Sequence, residues 1–301
     1  MRIFITGASG LLGGLIADRL RARGDEVVAL SRRPGQPRPG LTWVAGDVVE
    51  PGPWQDQVEG ADAVVHLAGE PLDARRWSAR QKERLRESRV AGTANVVAAM
   101  ARSRTRPPLL LAASAAGIYG ARGEEELDER APPGTGFLAE ICQAWEGEAR
   151  RAGEAGVRTV CLRLGVVLSG RGGALPRMRT AFTFFAGGPL GDRRAWFPWI
   201  HEDDVAGLAL HALATPSLSG PVNAVAPGIV RMGDFARAIG QALRRPSWAP
   251  VPEVALRLLV GELGASINPG MKVIPRAALA AGYRFQHPAL DTALPTALAR
   301  G

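Results

Sequence analysis

The sequence predicts an α/β protein: a doubly wound parallel sheet with a smaller, partly helical lobe toward the C-terminal end. Residues 1–165 alternate short β-branched runs with amphipathic stretches, the pattern of parallel strands joined by helical crossovers. A glycine-rich turn directly follows the first run. After Leu168 the texture changes to Ser169-Gly170-Arg171-Gly172-Gly173, the Phe-rich segment Phe182 to Phe185, and Gly187-Gly188-Pro189-Leu190-Gly191. At 301 residues and 46% hydrophobic side chains, the chain can bury a full core.

Six strands follow from the runs Arg2 to Thr6, Glu26 to Leu30, Thr42 to Ala45, Ala63 to Leu67, Leu109 to Ala113 and Thr159 to Leu164. Leu11, Leu12, Leu15, Ile16 and Leu20 form one helical stripe. Val90, Val96, Val97 and Met100 form another, ended by Pro107-Pro108. Asp203-Asp204-Val205 opens a later helix, and Pro221 to Val225 reads as a late strand returning to the sheet. The remainder reads as helical, with turns at Asn268-Pro269-Gly270 and His287-Pro288. The expected division is residues 1–168 plus about 200–226 for the sheet domain, and 169–199 plus 227–301 for the smaller lobe.

The formal net charge is +8, yet lysine occurs only at positions 82 and 272, and the arginines are dispersed. Neutralising a phosphate backbone needs clustered cations, so the charge argues against a nucleic-acid partner. No apolar stretch approaches the roughly eighteen residues of a membrane span. Met1 to Gly7 runs straight into strand and turn with no room for a leader, so a cytoplasmic location is expected. Cys142 and Cys161 form no metal-ligand spacing and read as apolar fillers; no metal is expected.

The strongest motif is Thr6-Gly7-Ala8-Ser9-Gly10-Leu11-Leu12-Gly13, between the first strand and first helix. Gly7 serves the turn's backbone angles, Gly10 lets the chain approach a pyrophosphate, and Gly13 allows close helix-to-strand packing. Ser9, Leu11 and Leu12 then lie at a helix amino end, whose free N–H groups and dipole favour phosphate. This is a Rossmann dinucleotide site. The end of the second strand reads Leu30-Ser31-Arg32-Arg33, where an NAD site carries a carboxylate. Ser31 and Arg32 favour a 2'-phosphate, hence NADP(H). Asp47 and Val48 are placed for the adenine, and Ala68, Gly69 and Glu70 for the ribose and nicotinamide.

With these residues in place, the chain resembles the extended short-chain dehydrogenase/reductases, in the atypical branch called the sugar-nucleotide-epimerase-like family with its own C-terminal domain. The resemblance rests on the glycine turn, Leu67 to Pro71, Arg76-Trp77 with Lys82 and Ser88-Arg89-Val90, and Ser114 to Gly120. Further on it rests on Phe137 to Glu140 with Trp145-Glu146, Trp199 to Asp204, and the tail from Gly261-Glu262 through Val273-Ile274-Pro275, Gly282 to Phe285 and Pro288-Ala289-Leu290. It implies a Rossmann lobe binding NADP(H), closed by a small lobe over a hydroxyl- or carbonyl-bearing substrate. Active members of the class carry Tyr-x-x-x-Lys on the helix after the fifth strand. Here that helix offers Phe137 with Ile141, or Leu138 with Cys142, and neither frame restores the pair.

The resemblance leaves Ser114 and Tyr119 as candidate catalytic residues, with Glu70, Arg76, Lys82, Arg89 and Glu140 as further pocket candidates. His201 reads as a structural hydrogen-bonder. Trp196, Phe197 and Trp199 read as an apolar wall or a core cluster. Two functions fit: an NADP(H)-dependent oxidoreductase or epimerase acting on a small molecule, or an NADP(H)-binding sensor or scaffold for a protein partner.

Overall fold

The computed structural model describes residues 1–36, 38–249 and 270–301. Seven parallel strands form the sheet: β1 (Arg2–Thr6), β2 (Glu26–Ser31), β3 (Leu41–Ala45), β4 (Ala63–His66), β5 (Leu109–Ala115), β7 (Arg158–Leu164) and β11 (Gly220–Ala224). Their order is β11-β7-β5-β4-β1-β2-β3, so the direction of winding reverses between β1 and β4. That reversal opens the crevice where α/β sheets bind ligands. Short pairs flank it: β6 (Glu126–Leu127) with β13 (Lys272–Val273), β8 (Val166–Leu168) with β10 (Trp199–His201), and β9 (Trp196–Phe197) with β12 (Val230–Arg231).

The helices are α1 (Leu11–Ala22), α2 (Ala79–Arg102), α3 (Phe137–Arg150), α4 (Ala174–Thr183), α5 (Glu202–Ala214), α6 (Met232–Leu243), α7 (Arg276–Ala280) and α8 (Leu290–Leu298). Ser78 caps α2, its hydroxyl accepting the Gln81 N–H, and the helix ends at Arg102 before the two prolines. Among the described residues, no helix is long and apolar enough to cross a membrane.

Alternation along the central strands sends residues to two cores. Ile3, Ile5, Val27, Val65 and Leu111 pack with Ile16 and Leu20 of α1 and with Val205 and Leu208 of α5. Phe4, Val28, Val64 and Leu110 pack on the other face with Val96 and Met100 of α2. A third core gathers Leu175, Phe182, Phe197, Phe235, Ile239 and Leu294 beyond the strand ends. The tail is divided between them: Ala278 and Tyr283 pack into the first, Leu290 to Ala297 into the third. The Gly261-Glu262 and Asn268-Pro269 readings lie outside the described residues.

The start of α5 holds three buried carboxylates, Glu202, Asp203 and Asp204. Asp204 accepts from the Tyr283 hydroxyl at 2.9 Å and from the Gln286 and His287 amides at 2.7 and 2.9 Å. Glu202 pairs with Arg171 and Arg300 at 2.9 and 3.1 Å, and Asp203 pairs with Arg19 and Arg300 at 2.5 and 2.7 Å. Burial alone would raise the Asp203 carboxyl, but the Arg300 bond and charge outweigh it and hold it at about 2. Arg300 therefore ties the tail to the fifth helix, and Arg19 brings the first helix to the same carboxylate. Arg300→Ala should lower stability by about 1 to 3 kcal/mol, less than for a fully buried pair because the guanidinium is partly solvated. Urea unfolding at pH 7 with an unchanged midpoint would refute this.

Candidate functional site

The glycine turn is shaped by its neighbours, with one exception. Gly7 has φ +78°, and a Cβ there would stand 2.8 Å from the Ala68 nitrogen; a Cβ on Gly13 would stand 2.2 Å from the Gly7 carbonyl oxygen. At Gly10 the nearest atom to an added Cβ is the same oxygen at 3.3 Å. The chain itself constrains Gly10 far less, and its open side faces a cavity.

Beneath the turn runs a buried hydrogen-bond chain. The Ala68 N–H donates to Thr6 Oγ1 at 3.3 Å, and Thr6 Oγ1 lies 2.7 Å from His66 Nδ1. His66 Nε2 lies 3.0 Å from Thr93 Oγ1, which donates to the Arg89 carbonyl at 2.6 Å. Because the Thr93 proton is already used, Nε2 must carry the imidazole proton and Nδ1 must accept from Thr6. Complete burial pushes the His66 pKa down to about 4, so the ring stays neutral at pH 7.

The cavity above, about 840 Å³, is lined by Ser9, Gly10, Ser31, Arg32, Arg33, Asp47, Val48, Ala68, Gly69 and Glu70, together with Thr6, Gly7 and Pro71. Leu11, Leu12 and Gly13 do not line it with side chains. Leu12 packs against the first core, and Leu11 lies beside Gly172, so what they can offer is the amino end of α1. Ser31 is spent locally: its hydroxyl donates to the Arg33 carbonyl and accepts the Arg33 N–H. Arg32 and Arg33 are exposed, presenting two guanidiniums where one had been expected. Asp47 Oδ1 accepts the Val49 N–H, and Asn95 donates to the carbonyls of Val48 and Val49 at 3.0 and 2.7 Å. Asn95 of α2 thus stakes the 46–49 loop, a role its position gave no hint of.

A second cavity, about 650 Å³, opens between the sheet and the third core and shares Leu67, Gly69, Glu70 and Pro71 with the first. Leu138, Ile141, Cys142 and Trp145 of α3 face it, and Phe137 does not. Phe137 packs edge-on against Trp77, with the Lys82 ammonium 5.1 Å from its ring centre. Of the two frames, Leu138 with Cys142 is therefore the one turned wholly toward the cavity. Burial raises the Cys142 thiol to about 12, so it offers no thiolate. Arg89 lies on the wall above the Trp145 ring and donates to the Glu70 and Leu85 carbonyls.

Ser114 lines this cavity and donates to Glu146 Oε1 at 2.7 Å. Glu146 is gripped by the Arg163 fork at 2.8 and 2.9 Å, and Arg163 also donates to the Tyr119 hydroxyl at 2.8 Å. Tyr119 is fully buried, donates to Asn223 Oδ1 at 2.7 Å and lines neither cavity. Burial raises its pKa, with Arg163 only partly offsetting, so the phenol is a protonated strut. The structure separates the two residues the sequence had paired: Ser114 faces the second cavity and Tyr119 is sealed behind it.

The other candidates scatter. Arg76 and Glu140 are exposed and line neither cavity. His201 is fully buried and caps α5, its Nδ1 accepting the Asp203 N–H. Trp199 is core, Phe197 packs against Phe235 with the rings tilted at the cavity wall, and Trp196 lies beneath Arg231. His201, Asp203 and His287 bring one ligand atom each within 4.8 Å of the others. Since Asp203 already serves Arg19 and Arg300, that donor set is poor for a cation.

Tyr119→Phe should cost about 1 to 3 kcal/mol by stranding Asn223 and one Arg163 donor; an unaltered denaturation midpoint would contradict the strut role. For His66, the unfolded ring takes up a proton near its ordinary value of 6.5, while the folded ring resists until about 4. Its contribution is complete above pH 6.5 and falls with pH through that window, by about 2 kcal/mol at pH 5. His66→Gln should flatten this part of the stability curve; identical pH slopes in both proteins would rule the assignment out.

Residues 3–225 match the family described as NAD dependent epimerase/dehydratase, and residues 251–297 match a domain of unknown function, DUF1731. The Epimerase family protein SDR39U1 homolog of Arabidopsis thaliana, named chloroplastic, is 39% identical, over 98% of this chain and 86% of its own length. The crystal structure of human epimerase family protein SDR39U1 (isoform 2) with NADPH is similar at TM-score 0.89 and 32% identity, covering 100% of both chains. That of a nucleoside-diphosphate sugar epimerase from Corynebacterium glutamicum is similar at TM-score 0.81 and 34% identity, covering 99% of this chain and 58% of that one. By the extent of the match and the geometry of its glycine turn, the chain belongs to the NAD dependent epimerase/dehydratase family.

Proposed function

We propose that this protein binds NADPH in the 840 Å³ cavity and holds a small carbonyl- or hydroxyl-bearing molecule in the adjoining one. The observation that carries the reading is the shared wall: Leu67, Gly69, Glu70 and Pro71 belong to both cavities. The residues fit the cofactor. Gly10 leaves room for a pyrophosphate against the amino end of α1, and Arg32 with Arg33 stands where an NAD site has a carboxylate. Ala68 and Glu70 continue that wall toward the second cavity. The bound cofactor supplies hydride chemistry. The NADPH in the human relative's structure supports the choice. Two free, buried thiols suit a reducing compartment such as the cytoplasm.

On the reacting side, Ser114 is the hydroxyl nearest the expected position, oriented by Glu146. Leu138 and Cys142 provide neither the phenol nor the ammonium of an active pair, so turnover should be slow by the hundred- to ten-thousandfold that general acid catalysis typically contributes. The same observation favours a second reading, a cofactor-dependent sensor or scaffold. NADPH oxidation against a panel of ketones and aldehydes separates the two: turnover that falls in Ser114→Ala supports the enzyme, and tight binding without turnover supports the sensor.

Arg32 and Arg33 should favour NADPH over NADH by roughly ten- to a hundredfold, the effect of one or two phosphate contacts. Arg32→Ala should remove most of that preference. Calorimetry giving equal affinities in the parent protein would sink the cofactor assignment.

A further inference from the structure

We infer that the second cavity takes an uncharged, predominantly apolar carbonyl or alcohol, and not a nucleoside-diphosphate sugar; this rests on the reading of two adjoining cavities above. Its described walls are apolar on opposite sides, with Leu138 and Trp145 on α3, Met178 and Phe182 on α4, and Phe235 on α6. The charged side chains among the described lining residues are Glu70, Asp73, Arg89 and Arg177. Two are acidic and two basic, so the described part of the wall has no net positive charge to receive a diphosphate.

Neither cation is uncommitted. Arg177 is paired with Asp73 at 2.6 Å, both side chains exposed. Arg89 stacks on Trp145, and its Nη1 is spent on the Glu70 and Leu85 carbonyls at 3.0 and 3.2 Å. A diphosphate entering here would lose its water and have to break the Arg177–Asp73 pair or compete for the Arg89 guanidinium, a costly burial of charge. A ligand of hydrocarbon or aromatic character loses only unfavourable contacts with water. The polar end of such a ligand is directed toward Ser114, Glu70 and the shared wall, where a hydroxyl or carbonyl would meet the cofactor site.

The test measures binding, not turnover. With the full chain saturated in NADPH, quenching or enhancement of tryptophan fluorescence and calorimetry are followed on adding decan-2-one in one arm and UDP-glucose in the other. Decan-2-one is expected to bind at least tenfold more tightly than UDP-glucose. Leu138→Asp sets a carboxylate in the first turn of α3, where the helix dipole favours it. It should weaken decan-2-one at least tenfold and leave NADPH affinity unchanged. Met178→Lys probes the opposite wall and should do the same. Stronger binding of UDP-glucose, binding of neither, or indifference of decan-2-one to both substitutions would overturn the inference. Failure to bind NADPH at all would instead defeat the cofactor reading, so the two failures are told apart in the first titration.

Discussion

The bidentate pair between Glu146 and Arg163 is the constraint on which the far side of the site depends. It is buried between α3 and β7, and each partner is fully used: Glu146 also accepts from Ser114, and Arg163 also donates to Tyr119. Charges so far from water persist only when every donor and acceptor is matched. Asn223 continues the network, accepting from Tyr119 and donating to the Leu127 and Ile274 carbonyls. One ion pair thereby fixes the end of β5, the phase of α3 and the docking of β13 against β6. The side chains that α3 turns into the second cavity are set by this lock.

A second, uncharged lock serves the first cavity. Thr6, His66 and Thr93 tie β1, β4 and α2 together in a chain whose hydrogen-bond directions are all determined. It holds the Ala68 amide against the glycine turn, at the edge where Gly7 has no room for a side chain. The two locks differ in kind. One is ionic; the other relies on an imidazole remaining neutral.

Much of the fold was legible because local pattern and global topology agree. The strand runs were read to within two residues, and the return of the Pro221 run to the sheet follows from its place after a helix. The tight geometry of the glycine turn was legible because its constraints lie within a few residues. What the sequence hid is long-range. Tyr119 resembled a surviving catalytic phenol, yet its partners Arg163 and Asn223 are 44 and 104 residues away, and nothing near it announces them. The choice between Phe137 and Leu138 turned on helix phase, which the Glu146–Arg163 pair holds from 17 residues away and which leaves Phe137 packed against Trp77. Asn95 was silent for a similar reason: its carbonyl partners are 47 and 46 residues away.

The strip from Leu67 to Pro71 has a thermodynamic consequence. Leu67, Gly69, Glu70 and Pro71 border both cavities, so any ordering of the strip by an occupant on one side is already accomplished for an occupant on the other. Linkage makes such coupling reciprocal: the factor by which a first-cavity occupant strengthens a second-cavity occupant equals the factor by which the second strengthens the first. The two compartments would then act as one cooperative unit, with Gly69 at the centre of the strip they share.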